Sequence, residues 1–294
     1  MFSGCITALV TPFKDGVLDI AGLKANIRFQ LAAQVSGVLV GGSTGEAPTL
    51  TEGEWEEVVR ITVAEVKGKV KVLAGAGTNS TNKSIKQVRK AEELGADGVL
   101  VVAPYYNKPT QEGIYRHFRA CAEETKLPVV IYNIPSRSVV NVLPATIERL
   151  AKDCPNIQAV KEASGNIDQS SEIIFRCEER VTVLSGDDSL TLPILAVGGK
   201  GVISVVSNIV PQDVEKMVRD YLGGMVEAAR EKHRKLFPLI KSLFIETNPI
   251  PVKAAMNILG MAAGEPRLPL CPLSKENEAV LRCALTDYGL SVTV

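Results

Sequence analysis

Imidazole is nearly absent from this chain. His117 and His233 are its only histidines, and neither stands in an H-E-x-x-H or comparable spacing. A zinc site built on imidazole is excluded on that ground, and carbon–carbon bond formation through a metal-bound enolate loses its support. A surplus of charge of either sign is also missing, since Lys and Arg total 33 and Asp and Glu total 33. Nucleic acid and anionic membranes both call for a basic excess, so no nucleic acid and no membrane is expected as a partner. The six cysteines (Cys5, Cys121, Cys154, Cys177, Cys271, Cys283) include no C-x-x-C pair and read as reduced, mostly buried thiols. No apolar stretch reaches membrane-spanning length, and the N-terminus lacks the basic region of a signal peptide. The expectation is a soluble, cytoplasmic protein. A G-x-G-x-x-G opening is missing too. Gly75-Ala76-Gly77 lacks the third glycine and reads as tight strand-to-loop packing, and Gly198-Gly199-Lys200-Gly201 reads as a turn.

What is present is a regular alternation. Of the 294 residues, 46% are hydrophobic and 22% charged, enough to bury a large core. Apolar, strand-like segments recur at 4–10, 37–42, 70–77, 98–103, 128–133, 157–161, 181–185 and 201–206. Helical stretches lie between them. Thr51 and Glu54 form a capping box ahead of Trp55, Val58, Val59 and Ile61. The stretch 81–94 closes on Leu94-Gly95, and 111–125 is amphipathic. Strand alternating with helix implies a parallel sheet, and eight units match an α/β fold of the (β/α)8 TIM barrel type. An open doubly wound sheet is the alternative. From Pro211 onward only helical stretches appear, at 211–222, 225–245, 249–259 and 274–285. The expected organisation is a barrel over 1–210 carrying the active site, then a C-terminal helical extension over 211–294.

In such a barrel the functional groups sit at the carboxyl ends of the strands. The sixth strand ends at Lys161. Burial there disfavours the ammonium form, lowers the pKa and makes available the neutral amine that condenses with a carbonyl. Most of the lysines are solvated surface charges, so the other strand ends have to support this reading. They offer Gly41-Gly42-Ser43-Thr44-Gly45-Glu46, Tyr105 and Tyr106, Tyr132-Asn133 with Arg137, Gly186-Asp187-Asp188, and Ser204. Each has a structural alternative. The glycine-rich turn is either a tight loop or a binder of a small carboxylate through hydroxyls and backbone N–H groups. Tyrosines at strand ends are often core edges, Arg137 is by default solvated, and Asp187-Asp188 is read as the cap of the helix that follows. Convergence of amine, hydroxyls, phenols and guanidinium on one cavity favours chemistry.

Gly42-Ser43-Thr44-Gly45-Glu46, Tyr132-Asn133-Ile134-Pro135, Val160-Lys161-Glu162-Ala163-Ser164-Gly165 and Asn248-Pro249-Ile250-Pro251-Val252-Lys253 resemble the signatures of the dihydrodipicolinate synthase / N-acetylneuraminate lyase superfamily. Its members are pyruvate-dependent class I aldolases on a (β/α)8 barrel with a helical C-terminal region, and they need no cofactor and no metal. The resemblance implies that Lys161 forms the Schiff base with pyruvate. It implies a proton relay of Thr44, Tyr132 and Tyr106, the last entering from a neighbouring subunit of a homotetramer built as a dimer of dimers. Ser43 and Thr44 would hold the pyruvate carboxylate, with Gly186 and the Ile203 backbone lining the site. Arg137 matches the arginine that binds the carboxylate of L-aspartate 4-semialdehyde in the synthase branch, which serves lysine and diaminopimelate synthesis. The Ala-Pro-Tyr-Tyr-Asn-Lys-Pro run at 103–109 favours the same branch. The alternatives are an aldolase for a 2-keto-3-deoxy sugar acid or 4-hydroxy-2-oxoglutarate, or a non-catalytic pyruvate- or lysine-binding homologue.

The pattern departs from the common one at three places. Ser43 and Ser164 stand where Thr is frequent, which keeps the hydroxyl. In the lysine feedback site of regulated members, whose lining would include Trp55, Asn79 and Tyr105, Lys83 replaces a carboxylate. A like charge repels the lysine ammonium, so L-lysine is expected to inhibit weakly or not at all. Micromolar inhibition of turnover by L-lysine would refute this.

Overall fold

The computed structural model describes residues 2–292. Its centre is a closed barrel of eight parallel strands. They are β1 (Gly4–Ala8), β2 (Gly37–Val40), β3 (Lys71–Gly75), β4 (Gly98–Val102), β5 (Val129–Asn133), β6 (Ile157–Glu162), β7 (Thr182–Ser185) and β8 (Gly201–Ser204). Neighbours in sequence pair in space, and β1 closes the ring by pairing with both β2 and β8. All eight strand-like segments of the sequence are therefore strands, and the open sheet is ruled out.

Period-two alternation divides the core into two shells. Ile6, Leu39, Leu73, Leu100, Val130, Tyr132, Ala159, Leu184 and Ile203 point into the barrel and form one buried cluster. Their neighbours, among them Val38, Val72, Val99, Ile131, Val160 and Val183, point outward against the helices. Lys161 stands opposite Tyr132 on β5 and Leu184 on β7, in an inward-facing layer. Asn133 and Glu162, one residue further on, are likewise paired in register and face outward. Asn133 Nδ2 donates to Glu162 Oε2 at 3.0 Å, Gln169 Nε2 donates to the same oxygen at 3.1 Å, and the Ser164 N–H donates to Glu162 Oε1 at 2.7 Å. A buried carboxylate satisfied in this way locks the register of β5 against β6. The glycines at the tops of β2 and β3 do the same by contact. A Cβ on Gly75 would lie 2.1 Å from the Gly41 carbonyl oxygen, and one on Gly77 2.3 Å from the Val102 nitrogen. The tight packing read into Gly75-Ala76-Gly77 is what the fold uses.

The ring helices are α1 (Ile20–Ala32), α2 (Glu52–Val66), α3 (Thr81–Glu93), α4 (Gln111–Glu123), α5 (Pro144–Asp153), α6 (Ile167–Cys177), α7 (Thr191–Ala196) and α8 (Pro211–Leu222). The capping box at Thr51 and Glu54 is formed, and α3 stops where expected, with Gly95 at φ +83°. Helix α8 packs on β1 and follows β8, so it is the eighth helix of the ring. A boundary at 210 would cut that helix from its barrel, and we draw the division after Leu222. Beyond it lie α9 (Val226–Ser242), α10 (Ile250–Ile258) and α11 (Lys275–Tyr288). A short hairpin, Phe13–Lys14 with Val17–Leu18, was not expected; it turns on Asp15 and Gly16, both at positive φ, the Asp-Gly signal of a tight turn. No helix among the described residues is long and apolar enough to cross a membrane.

One buried ion pair ties the C-terminal layer to the loop after β2. Glu46 occupies the left-handed region at φ 55°. Its Oε1 accepts from Lys253 Nζ on α10 at 2.6 Å, and its Oε2 accepts from the Arg267 N–H at 2.8 Å. Lys253 also donates to the carbonyls of Glu265 (3.1 Å) and Thr11 (3.3 Å), and both charged side chains are 1% exposed. Removing one partner of such a pair strands a charge in the interior. Lys253→Met is therefore expected to lower unfolding stability by about 3–5 kcal/mol in urea denaturation. Glu46→Gln combined with Lys253→Met should lose less than the sum of the two single losses.

Candidate active site

The strand ends that the sequence singled out converge on one opening. A cavity of about 560 Å³ is lined by Gly42, Ser43, Tyr132, Arg137 and Asn248. Lys83, Gln87, Tyr105, Pro269 and Leu270 line it elsewhere. Loop 42–47 is a self-bonded turn, with the Ala47 N–H on the Gly42 carbonyl and the Glu46 N–H on that of Ser43. It presents Ser43 to the cavity and keeps Thr44 buried at 3% exposure. Ser43 and Tyr132 line the cavity together.

Lys161 sits against this group rather than on the cavity wall. It is 5% exposed, and its Nζ lies 4.3 Å from the centroid of the Tyr132 ring. Burial pulls its pKa down to about 8, opposed by the charges of Asp187 and Asp188 and assisted by the Arg137 guanidinium. The same burial drives the Tyr132 phenol well above its ordinary value, Asp187 adding to the shift while Arg137 and Ser43 counter it. Asp187 is itself raised by burial, with Lys161 pulling against it. One amine is thus brought within reach of neutrality while the adjacent phenol is held as a proton-bearing acid. This is the pairing that carbonyl condensation requires.

Arg137 stands on the short helical turn Pro135–Ser138 that follows β5. Its Nη2 donates to the Asn248 main-chain carbonyl at 2.8 Å, and Asn248 Nδ2 donates in turn to Thr44 Oγ1 at 3.0 Å. Arg137 and Thr44, 93 residues apart in the chain, are joined through one asparagine of the C-terminal layer. Asn248, Lys253 and Glu46 stand inside motifs of the sequence, but sequence alone assigns none of them a role. An acid and a lysine each embedded among apolar or small residues were the available signals.

The remaining site residues fall elsewhere. Gly186 packs at the top of β7, where a Cβ would lie 2.6 Å from that of Ala163, and its N–H donates to the Glu162 carbonyl at 2.7 Å. Ile203 is fully buried inside the barrel beside Ile6. Tyr106 is 84% exposed at φ +74° and does not line the cavity of its own chain, whereas Tyr105 does. The capping role expected of Asp187-Asp188 is not found: neither side chain caps the 3-10 turn Asp188–Leu190. Asp188 Oδ2 accepts instead from the N–H groups of Val205 and Val206, at 2.9 and 3.1 Å, and joins the loops after β7 and β8. A backbone-only signal places those N–H groups, so side-chain spacing could not reveal it. Of the residues expected around Lys83, Tyr105 lines the cavity with it, while Trp55 turns its indole N–H to the Gly75 carbonyl at 2.9 Å. The Asn79 carbonyl accepts from Asn107 Nδ2.

The family model described as the dihydrodipicolinate synthetase family matches residues 1–287. The 4-hydroxy-tetrahydrodipicolinate synthase of Methanocaldococcus jannaschii is 53% identical over 290 residues, covering 99% of this chain and 100% of the relative. The crystal structure of dihydrodipicolinate synthase from Aquifex aeolicus superposes with a TM-score of 0.98 at 49% identity, covering all of both chains. That from Thermotoga maritima gives 0.97 at 49% identity over 99% of this chain and 100% of the neighbour.

The charge balance around Lys161 sets a pH dependence. Only the neutral amine attacks a carbonyl, and at neutral pH a group with a pKa of about 8 is roughly one-tenth neutral. The pyruvate kcat/KM, which reports the free enzyme, should therefore rise with pH and level off above about 8. Asp187→Asn removes a charge that favours the ammonium, so its acid limb is expected at lower pH than that of the wild type. An unmoved limb would refute the assignment.

Proposed function

The chain belongs to the dihydrodipicolinate synthetase family, and from that premise we infer that it works as a 4-hydroxy-tetrahydrodipicolinate synthase. It is a lyase of the Schiff-base aldolase type that condenses pyruvate with L-aspartate 4-semialdehyde in lysine and diaminopimelate biosynthesis. We assign it to the cytoplasm. The observation that carries the residue assignments is Lys161, an inward-facing lysine buried against Tyr132 with its pKa drawn down to about 8.

In this reading the Lys161 amine adds to the pyruvate carbonyl and water departs, leaving a protonated imine. The imine withdraws electrons, the pyruvate methyl loses a proton, and the enamine carbon attacks the aldehyde carbon. The new alkoxide takes up a proton. The acceptor's amine then attacks the imine carbon, the ring closes, and Lys161 is released as the free amine. One water is lost overall. Tyr132 and Thr44 pass the protons together with Tyr106 supplied by a second copy of the chain, in keeping with the exposure of Tyr106 on its own chain, whose cavity it does not line. The working unit is then at least a dimer, arranged as a dimer of dimers. Ser43 and Thr44 hold the pyruvate carboxylate beside Gly186 and the Ile203 backbone. Arg137, exposed at the cavity wall, holds the carboxylate of the second substrate, because a planar guanidinium fork matches a carboxylate in two parallel hydrogen bonds.

The test is consumption of pyruvate in the presence of L-aspartate 4-semialdehyde by wild type, Arg137→Ala and Lys161→Ala. Robust wild-type turnover is expected, lost in both variants, with pyruvate still trapped on Lys161 by borohydride in Arg137→Ala. No wild-type turnover with pyruvate still trapped would mean that the acceptor aldehyde is a different one.

A further inference from the structure

Arg137 stands on a helical turn, Pro135–Ser138, that is too short to hold its own shape. The turn is closed by a hydrogen bond from the Val139 N–H to the Pro135 carbonyl at 2.9 Å, formed with Val139 in the left-handed region at φ 63° and ψ 9°. Glycine and asparagine suit that position, whereas a β-branched residue crowds its own backbone there. The Val139 side chain is 61% exposed, so packing does not offset the strain. Strain of this kind persists only where the surroundings impose it, and it gathers at working sites.

The contacts that impose it lie just beyond. Asn141 Oδ1 accepts from Asn133 Nδ2 at the end of β5 (2.8 Å) and from Gln169 Nε2 on α6 (3.1 Å), and Asn141 Nδ2 donates to Gln169 Oε1 (2.7 Å). The Asn141 carbonyl accepts from Gln111 Nε2 on α4 (2.7 Å), and the Val142 N–H donates to Asn133 Oδ1 (2.9 Å). The segment 134–140 thus leaves β5 at Asn133 and returns to the Asn133 side chain, with the reversal at Val139 on its way back.

We propose that Asn141 is the positioning residue of Arg137: it holds the returning chain, keeps Val139 in its left-handed conformation and so keeps the turn wound and the guanidinium aimed. With that hold cut, Val139 relaxes to extended backbone, the closing bond is lost and the turn frays. The contact of Arg137 Nη2 with the Asn248 carbonyl fixes the head of the side chain and not the turn beneath it. The loss falls on the second substrate, whose carboxylate Arg137 takes, and the inference rests on that reading. Schiff-base formation is spared, because Glu162 keeps its bonds from Asn133, Gln169 and the Ser164 N–H, and with them the register of β5 and β6.

The experiment measures kcat/KM for pyruvate and for L-aspartate 4-semialdehyde in wild type, in Asn141→Ala, and in Asn141→Ala combined with Val139→Gly or with Val139→Asn. In Asn141→Ala the aldehyde value should fall about 10- to 100-fold, the cost of a misplaced binding group, while the pyruvate value stays within about 3-fold of wild type. Both substitutions of Val139 accept the left-handed conformation without the hold, so each double variant should recover the aldehyde value to within about 5-fold of wild type. A general loss of structure would lower both values, and a change at an exposed residue would not mend it. Gln111→Ala releases the same stretch from α4 without touching β5 or β6; it should act in the same direction, and it decides the matter by the same rescue if Asn141→Ala does not fold. An unmoved aldehyde value, or no recovery in either double variant, overturns the proposal. A wild type that traps pyruvate but does not use L-aspartate 4-semialdehyde overturns the acceptor and this inference together; normal wild-type turnover without recovery in the double variants overturns this inference alone.

Discussion

The contact between Glu46 and Lys253 organises everything above the barrel. A carboxylate at the end of a left-handed turn meets an ammonium from a helix more than two hundred residues later, and both are sealed from water. Neither charge is tolerable there alone, so the interior accepts them only as a pair supported by backbone groups. That requirement fixes the turn that presents Ser43 and Thr44, and it fixes α10 relative to the barrel mouth. Asn248 enters just before the same helix and reaches Thr44 and Arg137 only because the helix is anchored. The C-terminal layer is thus a working part of the site rather than an appendage.

Beneath the mouth, the barrel controls protons through burial. Lys161 and Tyr132 share an inward-facing layer, and the low-dielectric interior moves their pKa values in opposite directions, towards a neutral amine and a neutral phenol. Asp187, Asp188 and Arg137 trim the result without reversing it. On the outer face of the barrel, the Asn133–Glu162–Gln169 network holds the pairing of β5 and β6 by which Tyr132 and Lys161 meet. The outward residue of each pair thus positions the inward one.

Much of this was legible in the sequence because it follows periodicity and local chemistry. Eight apolar runs, the Thr51–Glu54 capping box and the Leu94-Gly95 stop are local signals, and each appears where it was read. Lys161, Tyr132, Ser43, Thr44 and Arg137 come together because barrel topology carries every strand end to one face. The less legible features depend on contacts distant in sequence. Helix α8 looked like the start of a separate helical region, since nothing local says that it packs on β1. Asp188 looked like a cap for its own helix, since the backbone donors it serves belong to the next loop. The pairing of Glu46 with Lys253 and the reach of Asn248 across the mouth exist only once the chain has folded.

The walls of the cavity differ in how freely their residues can change. On the β2–β3 side, Gly75 and Gly77 press against neighbouring backbone and Gly41 against the Trp55 indole so closely that even a methyl group would collide. On the other sides stand Lys83, Gln87, Tyr105, Pro269 and Leu270, side chains on helices and loops outside the barrel sheet. Drift in ligand preference over evolutionary time is therefore channelled. The backbone-lined wall is frozen by geometry, while the side-chain-lined rim can exchange size and charge without disturbing the strands. A lineage that needs a different molecule at this mouth would rewrite the rim and inherit the Schiff-base chemistry intact.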